Sequence, residues 1–460
     1  MKRRRIITAI LGLLVLAAVF TWLSQRGPKI NGHSLHFWMG EIIYSGSDRA
    51  LRAQGAFREA GARSFPTLRS ALRHKDSALK RFFFSVDNRL GFIKFSFMRD
   101  HERRRAALEA VRALGVDAAP LVPDLFESLL DDSVAVAPSE YGSALAAVGP
   151  SVVPQCVRFL AEDEGDHRHQ AAVLGAVTDL FKKDGVQEEW VEPLLAYARR
   201  TPCRTHQHTV TASFLAVLGS RAEPGVSDLI ECTQEGDSNH RWSAARALGI
   251  IGRPPDVIVP VLIDCLKDES RYVRVGAAKA LGKLGASAGP AVPALSAALE
   301  DPGLSVVMAV LNALPETGAA ASNAVPALVR ALTHPHEIVR GNAARALVSV
   351  PVDPQVSVPM LIPLLADEHH FVTVMAARSL GELGTNAYRA VPALMAQLES
   401  SREVTQIIIV EALGRIGPAA APALPAIRQA WYSNQSALGV SARRAISQIT
   451  GQPPKHSPGE

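Results

Sequence analysis

Cysteine is scarce, with four in 460 residues, and no two stand as Cys-x-x-Cys, which excludes a zinc ribbon, a dithiol redox motif and a haem-attachment site. There is also no His-Glu-x-x-His pair and no glycine-rich phosphate loop, so the common metalloprotease and nucleotide-binding signatures are missing. Excess positive charge is missing from most of the chain despite a net charge of +5. Residues 1–30 carry Lys2, Arg3, Arg4, Arg5, Arg26 and Lys29 with no acid, and residues 31–105 hold 15 Lys/Arg against 7 Asp/Glu, which leaves residues 106–460 at −9. A duplex-binding surface must neutralise several phosphates at once, so no nucleic-acid partner is expected.

Long apolar runs are equally rare, and one of them is informative. Ile6–Leu23 is uncharged over 18 residues and follows the basic cluster Met1–Arg5. As a helix it reaches about 27 Å, close to a hydrocarbon core of roughly 30 Å. Basic residues ahead of a span hold that end in the cytoplasm and place the rest on the far side. This predicts a single-pass inner-membrane anchor with a periplasmic body. A cleaved secretory signal is the competing reading, but it wants a shorter apolar stretch and a small-x-small site, whereas this run ends Phe20-Thr21-Trp22-Leu23.

What the chain does have is a repeat. Pro260, Pro293, Pro326, Pro359, Pro392 and Pro425 are each 33 residues apart, mostly inside AVPAL-like pentapeptides, and Ser227, Pro193, Pro154, Pro123 and Pro66 continue the series more loosely. About 13 residues before the proline comes an Ala-Leu-Gly element, as at 247–249, 280–282 and 412–414. The first half of each unit has helical apolar spacing ending in glycine, which predicts a helix stopped by a left-handed cap. Proline then opens a second helix, whose apolar stripe is Val292, Leu295 and Leu299 in one unit and Val391, Leu394 and Leu398 in another. One hairpin cannot bury both its faces, so about eleven units must stack into an all-α right-handed solenoid preceded by one transmembrane helix.

The expected organisation is a cytoplasmic segment 1–5, an anchor or signal 6–23, a linker and cap 24–47 and a first unit 48–76. After these come a basic Phe-rich insertion 77–105, the array 106–433, a capping helix 434–451 and a disordered tail 452–460. The unit, best seen from Val273 to Asp301, resembles the HEAT repeat, in particular the short bacterial form of bilin-lyase HEAT-like proteins. The resemblance covers about residues 48–450 and implies second helices on a concave surface and an Arg–Asp pair in the turns between units. Asp268 with Arg274 fits such a pair, while Val307, Thr373 and Gln406 interrupt it.

Four positions after the proline the second helix should face outward, and there the series reads Arg158, Tyr197, Glu231, Asp264, Ala297, Arg330, Pro363, Ala396 and Gln429. Mixed signs on a shallow groove suit a polypeptide, and Arg158, Tyr197, Glu231, Asp264, Arg330 and Gln429 are the candidate partner-binding residues. In the insertion, Arg81, Phe82, Phe83, Phe84, Phe92, Phe95 and Phe97 are candidate bilayer contacts, with packing over the first units as the plainer alternative. Cys232 and Cys265 are 33 apart, at equivalent places in stacked units roughly 8–10 Å apart, too far for a disulfide, which predicts buried free thiols. The histidine pairs 167/169, 206/208, 334/336 and 369/370 read as solvated turn residues, with no metal site. The reading is therefore a membrane-anchored, exported, non-enzymatic scaffold that binds another protein and carries no cofactor. A bilin-lyase-like enzyme and an envelope structural protein are the alternatives.

Overall fold

The computed structural model describes residues 28–44, 46–73, 98–131, 133, 135–162, 167–200, 207–433 and 437–452. The 6–23 segment, Arg81 and the six phenylalanines of the insertion, Cys203 and the tail from 453 lie outside them. The chain divides into two compact units, up to Leu218 and from Gly219.

In the first unit a two-residue β-hairpin, β1 (Lys29–Ile30) and β2 (His33–Ser34), pairs antiparallel. Its turn is Asn31-Gly32, both at positive φ, the sequence that such a turn favours. Helix α1 (Leu35–Tyr44) follows and packs on α2 (Ser47–Ala60) and α4 (Asp100–Leu114), with the Trp38 Nε1–H donating to the Ile30 carbonyl at 3.0 Å. The rest of this unit is α3 (Phe65–Arg73), α5 (Val122–Leu129), α6 (Pro138–Val148), α7 (Val153–Glu162), α8 (His167–Asp184), α9 (Val191–Arg200) and α10 (Gln207–Leu218).

The second unit alternates second and first helices without interruption: α11 (Val226–Gln234), α12 (Ser238–Ile251), α13 (Pro255–Cys265), α14 (Arg271–Leu284), α15 (Val292–Ala297), α16 (Leu304–Ala313) and α17 (Val325–Ala331). It continues through α18 (Glu337–Ser349), α19 (Pro354–Leu361), α20 (His370–Glu382), α21 (Val391–Ser400), α22 (Glu403–Ile416), α23 (Leu424–Ser433) and α24 (Ala437–Thr450). Here even-numbered helices are first helices and odd-numbered ones second helices. Each first helix packs on the next, α12 on α14 and so on to α22 on α24. Leu281, Leu295, Leu328, Leu380, Leu394 and Leu413 are fully buried between them, and each such side chain contributes about 1.5–3 kcal/mol of burial.

The helices do not end at the glycine of Ala-Leu-Gly, as their pattern suggested. Gly249, Gly282, Gly381 and Gly414 stay helical, and the chain turns three residues later at Gly252, Gly285, Gly384 and Gly417, all at positive φ. The earlier glycine serves packing. A Cβ on Gly249 would lie 2.5 Å from the Ala280 Cα of the next first helix, and one on Gly381 would lie 2.9 Å from the Ala412 Cα. After the turn a 3-10 segment, such as Gly285–Ala291 or Gly417–Ala423, leads to the proline. Gly285–Gly289 spells Gly-x-Ser-x-Gly, but it lies in this helix-to-helix turn and not in the strand-to-helix elbow that exposes a catalytic serine. Leu304–Ala331 and Glu403–Trp431 are apolar enough to span a membrane, but the chain breaks at Gly318 and Gly417, so each run is two halves of a hairpin.

The turns between units are tied by arginine, with a different pairing from the one the resemblance implied. Asp268 pairs with Arg241, Asp301 with Arg274 and Asp367 with Arg340, each 27 residues apart and each with Nε and a terminal nitrogen on the two carboxylate oxygens at 2.6–3.0 Å. Arg274 touches Asp268 only through its carbonyl, at 2.8 Å. The 27-residue offset brings the end of a second helix back beside the start of its own first helix, so the bridge closes one hairpin while the remaining nitrogen holds the turn before it. Arg104 and Asp131 join the same two places in the first unit, through one terminal nitrogen on the carboxylate at 2.5 Å, with the arginine side chain fully buried.

Where the arginine is missing, its aspartate is missing too: at the same offset the sequence sets Val307 against His334, Thr373 against Ser400 and Gln406 against Ser433. In each bridged hairpin one aspartate oxygen also accepts the amide two residues on, and His334 Nδ1 keeps that role by accepting from the His336 amide at 3.0 Å. The Arg340 guanidinium holds the Asp367 carboxyl below the usual range against the opposing effect of burial. At Asp268, burial pushes the pKa up but is outweighed by the Arg241 and Ser270 hydrogen bonds, so it too is depressed. Depressed carboxyl pKa values add stability that is complete above the unfolded-state value, about 4, and is lost as pH falls toward the folded value. Urea midpoints should therefore fall on acidification from pH 5 to pH 3, and less steeply in the paired variant Arg340→Val/Asp367→His than in the parent chain.

Candidate protein-binding surface

The row four residues after the proline is exposed as the pattern predicts at Arg158 in the first unit, and at Glu231, Asp264, Ala297, Arg330, Pro363, Ala396 and Gln429 in the second. Tyr197 is the exception. It is buried on α9, and its hydroxyl donates to Gln170 Oε1 at 3.0 Å. The spacing of 39 residues between Pro154 and Pro193 marks this as an irregular hairpin, and the register carried over from the regular units fails there.

In the second unit, seven second helices with their 3-10 extensions place this row on successive rungs. They carry Asp228, Glu231, Asp256, Asp264, Glu300 and Glu399 against Arg330 and Arg428. The ion pairs on this face, Lys267 with Asp264 at 3.4 Å and Arg330 with Glu300 at 3.8 Å, join well-exposed side chains. Such pairs contribute little stability, which leaves both charges available to a ligand. The face is acidic.

Two clefts interrupt it, both where a second helix starts early with proline. At α13 a cleft of about 590 Å³ opens beside α11, lined by Glu223, Pro224, Ile230, Pro254 and Val257. At α19 one of about 200 Å³ is lined by Pro354, Val358, Thr385, Tyr388 and Arg389. In these two hairpins Pro255 and Pro354 replace the glycine-led 3-10 turn, so the wall that the turn forms elsewhere is absent.

The first unit has a feature the repeat pattern hid. Asp124, one residue after Pro123, stands where other units have Ala294, Ala327, Ala393 and Ala426. Its nearly buried carboxylate accepts from Arg69 Nε at 3.0 Å and pairs with Arg73 at 2.8 Å, and Arg73 also reaches Glu127. This ties α3 to α5. A charged residue in an alanine position was the available signal.

Of the thiols, Cys156 and Cys265 are free and buried, and burial pushes them up to about 12 and about 11. They are poor nucleophiles at neutral pH. Cys232 is disulfide-bonded, against the expectation of a free thiol. The stacking distance excluded only Cys265 as its partner. His169 is buried within α8, not in a turn, whereas His334 and His336 accept backbone amides at the start of α18, at 3.0 and 3.2 Å. Among the described residues no three His, Cys, Asp or Glu side chains converge on a point that could hold a metal.

Residues 226–315, 259–348 and 325–414 match the HEAT-repeat family model, with starts offset by one and then two 33-residue periods. No similar sequence is found among curated proteins. Among solved structures, Kap95p in complex with RanGDP is similar over 94% of this chain and 66% of its own, at 13% identity and a TM-score of 0.57. Kap121p bound to Pho4p is similar over 90% of this chain at 14% identity and a TM-score of 0.55, and the match spans about half of Kap121p, 53%. YibA of E. coli aligns over 60% of this chain and 95% of its own at 19% identity, with a TM-score of 0.41. At these identities the likeness is one of fold. Residues 226–414 carry HEAT repeats, and the elements of the described residues are helical apart from the β1–β2 hairpin, with the fold likeness to helical solenoids.

Proposed function

We propose that this chain is a membrane-anchored, exported scaffold that binds another protein along its second-helix surface and is not an enzyme. The observation that carries the reading is the excess of carboxylates on the second helices, six against Arg330 and Arg428, with two clefts set among the rungs. Contact at many weak points suits an extended polypeptide, whose side chains can enter the clefts while its basic groups meet Glu231, Asp264 and Glu300. The fold-level neighbours Kap121p and Kap95p were solved holding proteins. Anchoring and export are supported by the basic cluster before the Ile6–Leu23 run, and the disulfide at Cys232 suits an oxidising compartment.

Mild crosslinking in native membranes, followed by purification of the full-length chain, should recover one near-stoichiometric protein. The paired reversal Asp264→Lys/Glu300→Lys should reduce that recovery several-fold. Recovery of lipid or a small chromophore alone would reject the scaffold reading. Cysteine-accessibility labelling from the periplasmic side should modify a cysteine placed at Gln429 in intact cells, and failure to do so would reject export.

A further inference from the structure

The first helices of the second unit present a surface of the opposite sign. Helices α12, α14, α16, α18, α20, α22 and α24 carry twelve Lys/Arg against four Asp/Glu. Only Arg241, Arg274 and Arg340 of the twelve are held by the turn aspartates. The free charges are ordered. At one position of the repeat stand Arg246, Lys279, Asn312, Arg345, Arg378, Glu411 and Arg444, five of seven basic and all at least partly exposed.

Four residues earlier, about 6 Å nearer the helix start, the same rungs carry Trp242, Val275, Met308, Gly341, Val374, Ile407 and Val440, without one charge or polar side chain. A further row at the helix start exposes Tyr272, Ile338 and Val404, the last of them 70% exposed. Neighbouring rungs touch, since an Arg345 terminal nitrogen donates to Asn312 Oδ1 at 2.5 Å. The surface is therefore a shallow apolar band bordered by a line of cations, running across the helices.

We propose that this band is a second docking surface, independent of the second-helix reading, and that its occupant is an acidic amphipathic α-helix of a protein partner. Charge complementarity selects the sign, because the same ligand is repelled by the acidic second-helix layer. Geometry selects the form. Packed helices are roughly 8–10 Å apart, and a helix lying across them advances about 10.5 Å per heptad. Acidic residues seven apart would thus meet successive cations, while the apolar side of the same helix rests on the band. A bilayer fits less well, because interfacial binding buries a whole protruding apolar face, whereas Trp242, Val275, Met308, Val374 and Ile407 are only half-exposed.

The test uses the full-length chain in detergent and a fluorescein-labelled synthetic 28-residue helix with glutamate at every seventh position beside a leucine stripe. A control peptide has lysine for glutamate. Anisotropy should show saturable binding of the acidic peptide, while any binding of the basic one, through the acidic second helices, should not respond to changes on the first helices. Arg246→Glu/Lys279→Glu/Arg345→Glu/Arg378→Glu should weaken binding about tenfold or more. Tyr272→Ser/Val404→Ser should weaken it a few-fold with every charge in place, and unchanged thermal melts would show both variants folded. No binding of the acidic peptide, or full affinity for it in the fourfold variant, would overturn the proposal. So would saturation by phosphatidylglycerol vesicles with no binding of the peptide, which would assign the surface to lipid.

Discussion

Arg340→Ala is expected to destabilise the second unit by about 3 kcal/mol. The side chain is 10% exposed, grips Asp367 at 2.7 and 2.8 Å, and donates to the His334 and Pro335 carbonyls at 2.9 and 3.1 Å. Its removal strands a nearly buried carboxylate and two carbonyls, and the cost of unpaired buried groups exceeds the net worth of the bonds lost. Arg340→Val with Asp367→His should recover most of the loss, because Val307 and His334 occupy the equivalent positions of the preceding hairpin. Hydrogen exchange of α18 and α20 is the suitable readout, since a stack of repeats can open locally. A loss below about 1 kcal/mol would place the bridge among ordinary surface pairs.

Gly249→Ala should have a large effect of unusual sign. In an exposed helix interior, alanine in place of glycine stabilises by roughly 0.5–1 kcal/mol. Gly55 on α2, with nothing within 4 Å of a Cβ, should show that gain. At Gly249 the added methyl would run into the Ala280 Cβ and sit 2.5 Å from its Cα, so two first helices must separate. Overpacking of this kind costs about 1–3 kcal/mol. Urea midpoints of the two variants should move in opposite directions, and a stabilised Gly249→Ala chain would show that the crossing is looser than described.

Much of the fold is legible in the sequence because one rule repeats. Pro293, Pro326, Pro392 and Pro425 fix the start of their second helices, whereas Pro260 and Pro359 fall inside helices that begin five residues earlier, and Val292, Leu295 and Leu299 mark the buried side. What the pattern hides are relations between distant segments. The Arg–Asp bridges join residues 27 apart, whereas the eye pairs Asp268 with the nearby Arg274. Gly249 looks like a cap because its role depends on Ala280, in the next helix. Tyr197 and Asp124 sit in hairpins whose spacing or composition departs from the regular unit, so the rule predicts them poorly. The two charged layers are visible only once the helices are sorted into two sets, because the second half of the chain is close to neutral as a string.

Under the proposed function one polypeptide lies along many rungs of the second-helix surface. A photoreactive phenylalanine analogue placed singly at 264, 297, 330, 363 and 396 in the membrane-bound chain tests it most directly, with a buried position such as Leu328 as background. The scaffold predicts one adduct of the same size from several consecutive positions. Adducts from none of them, or an unrelated partner at each, would contradict it.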